Sequence, residues 1–159
     1  MTTAERMVKV LTEKKMTCAT AESCTGGGVG SAITAVPGSS AVFWGGVISY
    51  DNSVKRNVLG VPDSVLATVG AVSQECAAAM AEGARRLTGA DIAVSVTGIA
   101  GPGGAEPGKP VGTVWFGVAT KNGTHTETRL FGGKKDRAKI RRLTAAHAMM
   151  LAIRAAREM

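Results

Sequence analysis

The sequence predicts a single α/β domain over residues 1–159, built as three α/β/α layers around a mixed sheet. Three observations predict it. Helix-period and strand-like segments interleave through residues 1–97, as they do when helices join parallel strands. Two further strand-like runs flank Asn122-Gly123, a hairpin signal that adds antiparallel strands to the sheet. The chain has 159 residues, 45% apolar and 19% charged, which is enough to bury one core and too apolar to stay disordered.

Each element follows from local chemistry. Thr2 and Glu5 have capping-box spacing, so a helix is expected over residues 4–15 with Met7, Val8 and Leu11 on its apolar face. A strand follows at 17–21, then a Ser/Gly turn and a helix to residue 35. Pro37-Gly38-Ser39-Ser40 reads as a turn. Residues 41–50 read as a buried strand in which Gly45-Gly46 marks a bulge or a close approach. Short helices are expected over 52–59 and 63–69. Ser73 caps a longer helix to Leu87, with Cys76, Met80, Ala84 and Leu87 on one face and Gly89 as its stop. Residues 91–97 form a short apolar strand and 98–110 a loop rich in Gly and Pro. The hairpin occupies 111–120 and 124–131, with one face of its second strand wet. The last helix runs over 135–157, with Ile140, Leu143, His147, Met150 and Leu151 along one stripe.

Composition excludes several classes. Cys18, Cys24 and Cys76 are odd in number, widely spaced and without a C-x-x-C pair, which argues against a disulfide framework or a cysteine zinc site and for reduced thiols in the cytoplasm. No signal-peptide core or bilayer-length apolar run is present, so no membrane partner is expected. Residues 129–158 hold nine Lys/Arg against Asp136 and Glu158, a balance of +7 that equals the net charge of the whole chain. So local a patch favours an anionic partner, a phosphate-bearing ligand or nucleic acid. Aromatic interleaving and any known nucleic-acid module are missing, which argues against the second.

The candidate chemistry centres on Ala21-Glu22-Ser23-Cys24-Thr25-Gly26-Gly27-Gly28, where a strand feeds a glycine-rich helix start. Unpaired N–H groups at such a start favour an anion or an oxyanion. Ser23 is the nucleophile candidate, although position alone would make it a cap. Thr25, Gly26 and Gly27 lie on the substrate side, and the N–H groups of residues 26–28 form the expected oxyanion hole. Tyr50 closes a strand and Lys55 lies about one turn into the next helix, so a lysine of lowered pKa is available as base, with Tyr50 as relay or support. Thr97, Gly98 and Gly101 belong to a loop whose backbone can approach a ligand closely. Arg137 and Arg141 share a face of the last helix and suit a phosphate, while Lys139 and Arg142 are expected in solvent. His125 and His147 have no metal-ligand spacing, and His147 reads as a packed residue, which pushes the base role toward lysine. Neither a strict dinucleotide fingerprint nor a P-loop is present.

Thr20 to Gly27, Gly38-Ser39-Ser40, Ser49-Tyr50 with Lys55, Gly70-Ala71-Val72-Ser73, Thr97 to Pro102 and Lys109-Pro110-Val111-Gly112-Thr113-Val114 occur in this order. In these motifs the chain resembles the CinA C-terminal domain family, also called PncC or nicotinamide-nucleotide amidase, over residues 4–157. The resemblance implies an α/β fold, a homodimer and a metal-free, cofactor-free hydrolysis of nicotinamide mononucleotide to nicotinic acid mononucleotide and ammonia, in pyridine-nucleotide recycling. Carried over by motif, it implies Ser23 as nucleophile, Tyr50 and Lys55 as its activators, Thr97 and residues 98–101 at the substrate, and Arg141 at the phosphate or ring. Two departures stand out. The N-terminal nucleotide-processing domain of larger members has no room here, and residues 132–137 are longer and more basic than the family form. The rival readings are a nucleotide-binding module without turnover and, further off, a basic nucleic-acid binder.

Overall fold

The computed structural model describes residues 1–132 and 136–159. Helix α1 (Thr3–Lys14) starts on the expected capping box: Glu5 N–H donates to Thr2 Oγ1 at 3.1 Å and Thr2 N–H to Glu5 Oε2 at 2.7 Å. Met7, Val8 and Leu11 turn inward, and Lys15 at φ 57° ends the helix. Strand β1 (Cys18–Glu22) is buried throughout, and α2 (Gly28–Thr34) follows it. A 3₁₀ turn (Ser39–Ala41) leads into β2 (Phe43–Ile48). Then come α3 (Asn52–Asn57), α4 (Asp63–Thr68), α5 (Gln74–Thr88), β3 (Ile92–Gly98), the hairpin β4 (Thr113–Thr120) and β5 (Gly123–Leu130), and α6 (Arg137–Glu158). The expected helix start at Lys135 lies outside the described residues. Asp136 caps α6 by accepting from Lys139 N–H at 2.8 Å.

The sheet order is β2-β1-β3-β4-β5, with β2, β1 and β3 parallel and β4 and β5 antiparallel. Helices α1, α2 and α6 cover one face and α5 the other, which completes the three-layer α/β architecture. The first core joins Met7, Leu11, Ile33, Val94, Phe116 and Ile153; the second joins Ala19, Leu59, Met80 and Ala93. Each fully buried large side chain contributes about 1.5–3 kcal/mol.

Four expectations are corrected. β2 is an edge strand and not a buried one: its side chains alternate, and Trp44 and Ile48 are more than half exposed. An apolar run alone does not reveal whether a strand has neighbours on both sides. The glycine pair does mark both a bulge and a close approach. The register skips Trp44, pairing Cys18 with Phe43 and Ala19 with Gly45, and a Cβ on Gly46 would overlap Thr20 Oγ1. Leu87 is exposed, because the inward face of α5 ends at Ala84. Met150 also points outward. The buried side of α6 is carried by small residues, Thr144, Ala145, Ala148 and Ala152, with Ile140 and Leu151, so helices approach closely there. His147 packs edge-on against Phe116, ring centroids 4.7 Å apart. Both faces of β5 are largely wet. No helix among the described residues is long and apolar enough to cross a membrane.

Candidate active site

The three parallel strands end side by side. β1 delivers Ser23, β2 delivers Ser49 and Tyr50, and β3 delivers Thr97 and Gly98. Ligands of open α/β sheets bind outside such carboxyl ends. A cleft of about 280 Å³ opens there, with Ser23, Lys55, Thr97, Gly101 and Arg137 among its walls. Ser23 is held by its own backbone, whose N–H donates to Val96 O at 3.0 Å.

Lys55 reaches this point from α3, which Asp51 caps by accepting from Ser53 N–H at 2.9 Å. The lysine is 1% exposed, and no ion pair reaches it among the described residues. Its Nζ lies 2.6 Å from Ser49 O, 2.9 Å from Tyr50 O and 2.9 Å from Ser23 Oγ. Two of these neighbours are carbonyls, which only accept. A neutral amine has two N–H donors and one lone pair. As an ammonium Lys55 donates to all three oxygens; once neutral, with both donors on the carbonyls, it turns its lone pair to the Ser23 hydroxyl. Burial drives the Lys55 pKa below its ordinary 10.5, against smaller opposing pulls from Cys76, Asp51 and Cys24. The pair therefore has the geometry and the electrostatics of a nucleophile beside its base.

The glycine turn serves the serine differently from expectation. Gly26 and Gly27 take φ +57° and +101°, values that favour glycine, and reverse the chain before α2. Only part of their neighbourhood is open to an anion: Gly27 N–H bonds to no other residue among those described, while the other donors are taken. Gly26 N–H donates to Ser23 O and Gly28 N–H to Thr25 O, while Val29 and Gly30 N–H donate to the buried Glu22 carboxylate at 2.8 and 3.0 Å. The Thr25 hydroxyl also turns inward, donating to Glu22 Oε1 at 2.5 Å. Among the described residues, Cys24 and Thr25 N–H bond to no other residue, and Cys24 lines the cleft. With the Gly27 amide, these are the unpaired donors of the turn that follows Ser23.

The arginines divide. Arg141 donates to Cys24 O at 3.1 Å and Thr25 O at 2.9 Å, bracing the turn from behind. Arg137 lines the cleft, donating to Gly101 O at 2.8 Å and to Tyr50 Oη at 3.1 Å. Tyr50, 62% exposed as a residue, thus meets Lys55 through its carbonyl and Arg137 through its hydroxyl. Thr97 donates to Ala71 O at 2.9 Å, tying the 70–73 segment to the cleft wall beside Gly98 and Gly101. Lys139 and Arg142 are exposed. Sequence reasoning missed Glu22 and the Ser49 carbonyl. An acid closing an otherwise apolar strand was the available signal for the first, since a buried carboxylate must find donors. A backbone carbonyl leaves none.

Fold and site define an α/β domain carrying a serine–lysine pair at the carboxyl ends of parallel strands. The profile of the CinA C-terminal domain matches residues 1–156, and the chain belongs to that family. A CinA-like protein of Synechococcus sp. (strain RCC307) is 51% identical over 148 residues, covering 93% of this chain and 36% of the relative. A CinA-like protein of Leptospira borgpetersenii (strain L550) is 58% identical over 118 residues, 74% of this chain and 28% of its own length. The chain thus spans about a third of the curated relatives it matches. The crystal structure of competence/damage inducible protein CihA from Agrobacterium tumefaciens superposes with a TM-score of 0.92 at 41% identity, over 96% of this chain and 92% of that one. A CinA superfamily protein from Klebsiella pneumoniae gives 0.93 at 34% identity, over 99% and 97%.

Proposed function

We propose that the cleft hydrolyses the carboxamide of nicotinamide mononucleotide, releasing nicotinic acid mononucleotide and ammonia. The observation that carries this reading is Lys55 Nζ at 2.9 Å from Ser23 Oγ, with both its other contacts on carbonyls. Membership of the CinA C-terminal domain family supports the substrate class, given the resemblance already drawn. Neutral Lys55 takes the Ser23 proton as Oγ attacks the amide carbon. The Cys24, Thr25 and Gly27 amides are the unpaired donors available to the oxyanion. The Lys55 ammonium returns its proton to the departing nitrogen, which leaves as ammonia. Water enters, gives a proton to Lys55 and attacks the acyl-serine. Ser23 leaves with that proton, so the net reaction is amide plus water to acid plus ammonia. Tyr50 is not needed as a relay, because the amine already touches the hydroxyl. Arg137 is the phosphate contact, being the arginine in the cleft wall.

The experiment is ammonia release from nicotinamide mononucleotide by wild type and by Ser23→Ala. Wild-type turnover with loss of at least about 1,000-fold in the variant is expected. Comparable rates would overturn the nucleophile assignment. Tight binding of the nucleotide without ammonia would select a binding module instead.

A further inference from the structure

We infer that Glu22 is a positioning residue for Ser23, acting as a built-in anion that locks the nucleophile turn onto α2; the inference rests on the reading of Ser23 as nucleophile. Glu22 is 2% exposed and immediately precedes Ser23. Its carboxylate accepts three hydrogen bonds, from Thr25 Oγ1 and Val29 N–H on Oε1 and from Gly30 N–H on Oε2. The N-cap of α2 is Gly27, which has no side chain to offer, so the cap comes from the strand before the turn. The carboxylate lies close over Gly30: a Cβ there would stand in ordinary contact with Oε2 at 3.5 Å and with the Phe43 ring at 3.4 Å.

The consequence is geometric. Residues 23–27 are closed into a loop whose two ends are joined through one side chain, with Ser23 as the first residue inside it. Glu22 also reaches the base. Its carbonyl accepts from Ser49 N–H at 2.7 Å and Ser49 Oγ at 3.1 Å, and the Ser49 carbonyl in turn holds Lys55. The side chain thus sets the serine, while the backbone sets the lysine, and a side-chain substitution separates the two. Glutamine is nearly isosteric yet carries only one acceptor oxygen. Its NH₂ would face the Gly30 or Val29 N–H, donor against donor, in a site closed to water.

The test measures the nucleophile without relying on the natural substrate. Wild type, Glu22→Gln and Thr25→Val are treated with a fluorophosphonate, which phosphonylates activated serines with loss of fluoride. Labelling of Ser23 is followed by intact mass across pH, well below each melting temperature. A misplacement of about 1 Å costs on the order of 100-fold. Glu22→Gln is therefore expected to label about 100-fold more slowly, with the pH of half-maximal reactivity unmoved because Lys55 keeps its carbonyls. A residue with a purely structural role would lower the melting temperature and leave the labelling rate of the folded protein alone. A folded Glu22→Gln that labels within threefold of wild type would overturn the inference. Should Glu22→Gln fail to fold, Thr25→Val carries the test, since it keeps both backbone bonds to Glu22. A tenfold slower rate is expected there, and a wild-type rate would overturn the inference equally. Wild type that is not labelled at Ser23 would sink the nucleophile reading itself.

Discussion

Lys55→Met keeps the unbranched stem and most of the volume of the side chain while deleting the terminal nitrogen that touches Ser23 Oγ, Ser49 O and Tyr50 O. General-base catalysis is typically worth about 10²–10⁴-fold. The upper part of that range applies here, because no histidine, aspartate or glutamate lines the cleft among the described residues to take over. A loss of about 10³–10⁴-fold in kcat/KM is expected, or about 4–5.5 kcal/mol at 1.4 kcal/mol per decade. Stability responds less. Each orphaned carbonyl costs about 1–3 kcal/mol, but removing the nitrogen also removes the burial penalty that depresses the lysine pKa. The two oppose, so a net change within about 2 kcal/mol, or about 8 °C in Tm, is expected. The pH profile gives the sharper readout. The neutral amine is the active form and its pKa lies below 10.5, so wild-type kcat/KM climbs as pH rises through that lowered value. The assay is ammonia release across pH for both proteins, with melting curves alongside. Activity within tenfold of wild type, or the same acid limb in Lys55→Met, would refute the assignment of Lys55 as base.

Arg137→Ala should raise KM about 10- to 100-fold with little change in kcat, whereas Arg141→Ala should lower kcat, since Arg141 braces the turn and Arg137 lines the cleft as the proposed phosphate contact; steady-state kinetics on the nucleotide distinguishes them. Glu127 is pushed up by partial burial, but hydrogen bonds from Arg154, His147 and His125 outweigh this and hold it down to about 2, below the ordinary 4.5. Its folded pKa is the lower one, so its stabilising contribution is complete above about 4.5 and disappears as pH falls toward 2. The gap in Tm between wild type and Glu127→Gln should therefore be widest near neutral pH and close in acid. Burial pushes the thiols of Cys18, Cys24 and Cys76 up to about 12, 11 and 11. Native protein should resist a thiol-exchange reagent at mildly alkaline pH, and denatured protein should titrate three groups.

What the sequence made legible was local. The Thr2–Glu5 capping box, the Ser73 cap, Gly89 and the hairpin at Asn122-Gly123 each declare themselves within a few residues, and all appear in the fold. Ser23 was singled out by its turn. The contact between Ser23 and Lys55 spans 32 positions, and no spacing rule brings them together; the place of Lys55 just past the strand closed by Tyr50 and the shortage of histidines pointed to the lysine, and the family resemblance agreed. The edge position of β2 depended on strand order, which its own residues do not encode. Arg137 and Arg141 sit on one helix face and were indistinguishable until the register of α6 against the turn was known. Of the amides expected to hold an oxyanion, those of Gly26 and Gly28 are taken by carbonyls and that of Gly27 is not, a division that the motif alone does not show.

The position of β2 at the rim of the sheet has a thermal consequence. Edge strands pair on one side only and open at lower free energy than the strands inside. The carbonyls of Ser49 and Tyr50 that hold the lysine follow directly from this strand. When the rim frays, water reaches the amine, its proton affinity returns toward that of a solvated lysine, and the proposed base is switched off, with only the Phe43 and Val47 margins of the two cores loosened. Heat should therefore extinguish catalysis reversibly before it melts the domain, with the gap between the two temperatures measuring how firmly the outermost strand is held.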